Sequence, residues 1–208
     1  MADGPGLPPA TFDFKPALYR LTSGQKLYRI ERGLKYIGKF NNRPDINNRF
    51  SSIFDSGKII PTIYCAQTIE AAIFESILRD TPTQTNRVIS KSTFEDQYVS
   101  EVDVMASLQL ISLRGAGLKK LGLMEKQMIH CGPKVYDQTR AWAESLYSQS
   151  LAAQGLIWTS RQLGPEFSVV LFESRVHKSD LKFSRSPILI EDTIDIYDFA
   201  YRHGIWIN

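Results

Sequence analysis

The sequence predicts an α+β fold, a mixed β-sheet core flanked by helices, and three observations carry that prediction. Runs rich in β-branched and aromatic residues recur, at 26–30, 62–64 and 167–172 among others, bounded by Gly, Pro or Asn turns. Helical stretches lie between them without the strict alternation of a doubly wound sheet. One amphipathic helix stands out: from Asp137, the side chains Thr139, Trp142, Ala143, Leu146, Ser150 and Ala153 share a face, and Gly155 ends it.

A chain of 208 residues can bury a substantial core. Its Pro- and Gly-rich start reads as a flexible N-terminal arm over residues 1–24, and residues 25–208 as a single domain. A net charge of +3, scattered along the chain, argues against direct nucleic-acid binding. No apolar run approaches the roughly 18 residues of a membrane helix. The N-terminal stretch lacks the charged-then-apolar order of a signal peptide, so the expected location is cytoplasmic. Cys65 and Cys131 are the only cysteines; they exclude a disulfide framework and a cysteine-based zinc site, and read as reduced, partly buried thiols.

In order, a Ser23-Gly24 turn leads into the first strand, residues 26–30. Residues 38–50 hold four Asn with Pro44 and Asp45, a long loop of the functional kind. Residues 64–75 read as a strand end, a turn and the first two turns of a helix that runs on past Glu75, with Thr68 as N-cap and Glu70 at the positive end of the helix dipole. Residues 81–86 form a polar break; 99–104 and 108–113 read as strands, and 115–123 as a turn with a short helix. Residues 156–159 form a strand ending in Ser160-Arg161, 167–172 a buried strand, and 191–202 a last helix capped by His203-Gly204.

The unusual residue is Glu75. Ala71, Ala72, Leu78 and Arg79 lie three and four positions away, while Ile69, Ile73, Phe74 and Ile77 cover the rest of the helix. A helix apolar nearly all round is buried, and a carboxylate there needs a partner, a proton or a task. With Glu75, the candidates on loops or strand ends are Arg29, Arg49 and Ser160, and Tyr64 lies close by in the chain. Each has a plain alternative: a surface strand arginine, a loop anchor, a core aromatic, a turn serine, and for Glu75 an i,i+4 pair with Arg79. Other constellations fail on spacing. The third glycine of a dinucleotide fingerprint begun at Gly115-Ala116-Gly117 would fall at Lys120, so that stretch reads as a turn. Ser160 is not in a nucleophile elbow, and His130, His177 and His203 have no metal-ligand spacing; no metal is expected.

The order Leu27-Tyr28-Arg29, Asn48-Arg49-Phe50, Ile63-Tyr64-Cys65-Ala66 and Ala72-Ile73-Phe74-Glu75 resembles the RES domain family. The stretches Gly155 to Ser160 and Phe167 to Phe172 are similar to later strands of that family, so the resemblance runs over about residues 26–175. It implies a fold like the ADP-ribosyltransferase toxins and a bacterial toxin that consumes NAD⁺, neutralised by an Xre-type helix-turn-helix antitoxin. It implies further that Arg29, Arg49, Tyr64, Glu75 and Ser160 line an NAD⁺ pocket. Two departures are Asn47-Asn48, where small glycines usually precede the second arginine, and Ile30, where an aromatic often follows the first.

The residue chemistry fits that expectation. Cleaving the nicotinamide–ribose bond passes through an oxocarbenium-like transition state, which a carboxylate near the ribose stabilises, the role given to Glu75. An arginine fork suits the pyrophosphate, with Arg29 the stronger candidate and Arg49 the second. Tyr64 would bound the nicotinamide, and Ser160 would hold ribose or nicotinamide by hydrogen bonds. The leading expectation is a glycohydrolase or phosphorylase. The alternatives are an ADP-ribosyltransferase acting on a protein and a non-catalytic binding module. Oligomeric state and the role of residues 176–208 stay open.

Overall fold

The computed structural model describes residues 4–13, 15–79, 81, 87–184 and 186–208. Most of the polar break expected at 81–86 lies outside them. The first half of the chain forms β1 (Leu18–Leu21), β2 (Lys26–Arg32), β3 (Ile53–Asp55), β4 (Lys58–Ile60), β5 (Thr62–Ala66), α1 (Ile69–Glu75), β6 (Arg87–Ile89) and β7 (Gln97–Val104). There follow β8 (Leu108–Ser112), α2 (Ala116–Lys120), α3 (Glu125–Met128), α4 (Tyr136–Gln149), β9 (Gly155–Thr159) and β10 (Phe167–Phe172). The chain closes with β11 (Leu181–Phe183), β12 (Ile188–Leu189), α5 (Ile190–Thr193), α6 (Ile196–Arg202) and β13 (Ile205–Ile207).

The main sheet runs β1-β8-β9-β10-β5-β2-β7-β11, with β12 also on β7. Its pairs are antiparallel except β8–β9, which are parallel and joined by the crossover that contains α4. The expected α+β class with a mixed sheet is therefore present. Side chains alternate across β9 and β10: Leu156, Trp158, Val170 and Phe172 pack toward Trp142 and Leu146 of α4. Ile157, Val169 and Leu171 pack on the other face with Leu27, Ile63 and Val102. A third cluster joins Ile73 and Phe74 of α1 to Phe199 of α6 and Ile205 of β13.

Four sequence expectations change. Helix α1 ends at Glu75, because Ser76 leaves the helical conformation, so Leu78 and Arg79 do not continue it at i+3 and i+4. The sheet begins at Leu18, inside the segment read as an arm, because Leu18–Leu21 pairs with β8 from Ile111 to Leu108. Helix α4 stops at Gln149, not at Gly155. Gly155 instead opens β9, where a Cβ would stand 2.2 Å from the Val170 carbonyl oxygen; the glycine permits close strand approach. The single helix expected over 191–202 is two, since Ile194 is extended and Asp195 caps the second by accepting from the Tyr197 and Asp198 N–H groups. Gly117 likewise has a packing role, its α-carbon lying where a Cβ would meet the Ser112 carbonyl at 2.1 Å.

Candidate active site

Strand β5 feeds directly into α1. The Thr68 hydroxyl accepts from the Ala71 N–H at 3.1 Å, which fixes the helix start and, seven residues on, the position of Glu75. The Glu75 side chain is 10% exposed, and three hydrogen-bond donors and one cation converge on it. Ser160 Oγ and the Arg161 backbone N–H both donate to Oε1 at 2.9 Å. The Trp158 indole N–H donates to Oε2 at 3.4 Å, and an Arg49 Nη1 lies 3.7 Å from the same oxygen. This set compensates the burial of the carboxylate and fixes its orientation.

Arg49 comes from the Asn-rich loop, which α4 anchors. Thr139 donates its hydroxyl to the Arg49 carbonyl at 2.5 Å, and Arg140 donates to Asn47 Oδ1 at 2.7 Å. The Arg49 guanidinium also lies over the Tyr136 ring at 5.6 Å. Tyr64 ties β5 to the same loop by accepting from the Phe50 N–H at 3.0 Å. Its ring meets Trp158 edge-on at 5.9 Å, and Trp158 meets Phe50 at 5.0 Å. Burial pushes the Tyr64 phenol above its ordinary value.

In front of the carboxylate lies a cavity of about 170 Å³ walled by Arg29, Asn48, Tyr64, Glu75, Arg79 and Ser168 among others. That is smaller than the roughly 300–1,000 Å³ of a pocket enclosing a whole drug-sized ligand, so it suits one end of a longer molecule. Arg29 sits on β2, and its Nε lies 2.9 Å from Glu31 Oε1. Glu31 is buried; burial raises its carboxyl above the ordinary range, opposed by the Arg29 charge and the Gly38 N–H.

All five sequence candidates therefore gather at one place, in two groups. Arg29, Tyr64 and Glu75 wall the cavity. Arg49 and Ser160, each 3% exposed, hold the Glu75 carboxylate. Arg79, the alternative i+4 partner, lies beyond the end of α1 and donates instead to Asn48 Oδ1, both residues lining the cavity. Sequence reasoning missed the Trp158 and Arg161 donors and the Glu31 partner of Arg29. Trp158 immediately precedes the Thr159-Ser160 strand end, but an indole in a buried strand reads as core, and a backbone N–H leaves no sequence signal. Among the described residues no group of three or more His, Cys, Asp or Glu side chains is disposed to hold a metal ion. No described helix is long and apolar enough to cross a membrane.

A family model described as the RES domain matches residues 26–188. A similar solved structure is a chain of the M. tuberculosis MbcT–MbcA toxin–antitoxin complex, at 16% sequence identity and a TM-score of 0.58, covering 81% of this chain and 85% of that one. At that identity the likeness is one of fold. No curated relative matches the chain.

Proposed function

The chain belongs to the RES domain family, and from that premise we propose that it is an NAD⁺-degrading enzyme that cleaves the nicotinamide–ribose bond. The observation that carries this reading is the Glu75 carboxylate, held by three hydrogen bonds and the Arg49 cation at the edge of a small cavity that also presents Arg29. In the proposed reaction the C1–N bond of the nicotinamide riboside breaks and its electron pair leaves with nicotinamide. The cationic base departs neutral, so no strong general acid is needed. The positive charge left on the ribose is stabilised by Glu75, which also accepts from a ribose hydroxyl. Water or inorganic phosphate then adds at C1 and loses its proton to solvent.

In this scheme Arg29 binds the pyrophosphate and Tyr64 bounds the nicotinamide. Arg49 and Ser160 act through Glu75 by fixing its orientation, and Oε2, whose one hydrogen bond is the long one from Trp158, is the oxygen that accepts from the ribose. The likeness to a toxin–antitoxin complex supports reading the chain as the toxin of such a pair. The partner would then be an antitoxin, of the Xre helix-turn-helix type that the family resemblance implies.

Mass analysis of products from purified protein and NAD⁺, with and without phosphate, assigns the acceptor. ADP-ribose indicates water, and its 1-phosphate indicates phosphate. Label transferred to a protein instead would establish the ADP-ribosyltransferase alternative. Intact NAD⁺ in every arm would leave only a binding module and overturn the proposal.

A further inference from the structure

A second cavity, of about 520 Å³, lies beside the first, and the two share Arg29, Ile30 and Asn41 as lining. Its wall is strongly cationic: Arg32, Lys35, Lys39 and Arg43 are all exposed there. Arg43 is gripped by Asp45, with nitrogen–oxygen distances of 2.8 and 3.2 Å. Among the described residues Arg32, Lys35 and Lys39 have no carboxylate within ion-pair distance. Glu31, the acid in the lining, is buried and turned toward Arg29.

The lysines are carried by an ordered turn. The Gly33 N–H donates to the Asp96 carbonyl at 3.1 Å, a 3-10 turn covers Leu34–Tyr36, and the Lys39 N–H donates to the Tyr36 carbonyl at 3.1 Å. Gly38 adopts φ +65°, and its N–H donates to Glu31 Oε1 at 3.3 Å. Glu31 therefore braces both Arg29 and this turn. Tyr36 lines the cavity and is 42% exposed, with Lys35 Nζ 4.9 Å from the centre of its ring. Such a wall offers ammonium donors to phosphates and an aromatic face to a base.

We propose that this second cavity seats the adenosine-diphosphate half of the dinucleotide, with Lys35 and Lys39 on the phosphates, Tyr36 against the adenine and Arg29 at the junction. The proposal rests on the NAD⁺ reading above. It follows from size as well as charge, because the inner cavity holds one end of the molecule and the cationic cavity adjoins it at Arg29, Ile30 and Asn41. Diphosphate and adenine together distinguish this seat from a simple inorganic phosphate site.

The test is calorimetric binding of ADP to the intact protein, compared with adenosine, with inorganic phosphate and with the Lys35→Ala/Lys39→Ala variant. Both lysines are exposed, so the fold should survive their loss, and a thermal melt checks this. ADP should bind more tightly than adenosine or phosphate, and the double substitution should weaken it roughly 10- to 100-fold. In turnover, the ratio of kcat/KM for NAD⁺ to that for nicotinamide riboside should fall by a similar factor. ADP affinity unchanged in the variant, phosphate binding as tight as ADP, or equal losses on both substrates would overturn the proposal. ADP binding needs no bond cleavage, so intact, lysine-dependent ADP binding in a protein that spares NAD⁺ would sink the enzymatic reading and leave this seat standing.

Discussion

Ser160 donates its hydroxyl to Glu75 Oε1 at 2.9 Å, across 85 residues of chain, and the next backbone N–H donates to the same oxygen at the same distance. One turn at the end of β9 thus supplies two of the four groups that hold the carboxylate. Removing the hydroxyl leaves the N–H in place. Ser160→Ala should therefore lower kcat by roughly tenfold, about the worth of one hydrogen bond to a charged group, with KM little changed. Steady-state kinetics on NAD⁺ checks this; a loss confined to KM would mean that Ser160 contacts substrate directly.

Arg49 places a buried cation beside Oε2. Arg49→Met should destabilise the fold by about 3–5 kcal/mol, because it strands a buried carboxylate and loosens the loop that Thr139 anchors. Thermal unfolding should show a fall in Tm of roughly 6–20 °C. A melt within a degree of wild type would show that the pair does not hold the loop.

Tyr64→Phe keeps the ring that walls the cavity and removes the acceptor of the Phe50 N–H. The expected cost is about 1–3 kcal/mol of stability, with KM for NAD⁺ nearly unchanged. Tyr64→Ala should raise KM as well. Equal KM values for the two variants would remove the ring from the binding site.

Burial raises the Glu31 carboxyl above its ordinary 4.5, so the folded state holds that proton to higher pH than the unfolded chain does. The resulting stability is fully present below the unfolded value and is lost as pH rises through the folded one. The difference in unfolding free energy, wild type minus Glu31→Gln, should therefore decrease from pH 4 to pH 7. Urea titrations at the two values measure it, and a difference independent of pH would contradict the assignment.

Burial also pushes the Cys65 thiol up to about 12 and raises Cys131. Neither should react with a thiol reagent at neutral pH in the folded protein, and both should react in denaturant. Fast modification of either thiol without denaturant would contradict their burial.

The local devices of the site were legible in the sequence. Thr68 as N-cap, the burial of Glu75, the Asn-rich loop and β10 from Phe167 to Phe172 all follow from short-range pattern, and the structure has each of them. The grip on Glu75 was not legible, since its partners Arg49, Trp158 and Arg161 arrive through tertiary packing, and one acts by a backbone N–H. Glu31 was hidden for a different reason: two residues beyond Arg29 on a strand, it reads as an ordinary alternating charge. The β1 strand lay behind Pro-rich sequence, and the break at Ile194 depends on the Asp195 cap rather than on periodicity.

In the proposed reaction the Glu75 carboxylate carries cleavage of the nicotinamide–ribose bond. Nicotinamide release from NAD⁺ by Glu75→Gln, measured against wild type with both shown folded by thermal melt, tests it most directly. Wild type should release nicotinamide, and the variant should be slower by roughly 10²- to 10³-fold while still binding ADP. Equal rates of release from the two proteins would contradict the account.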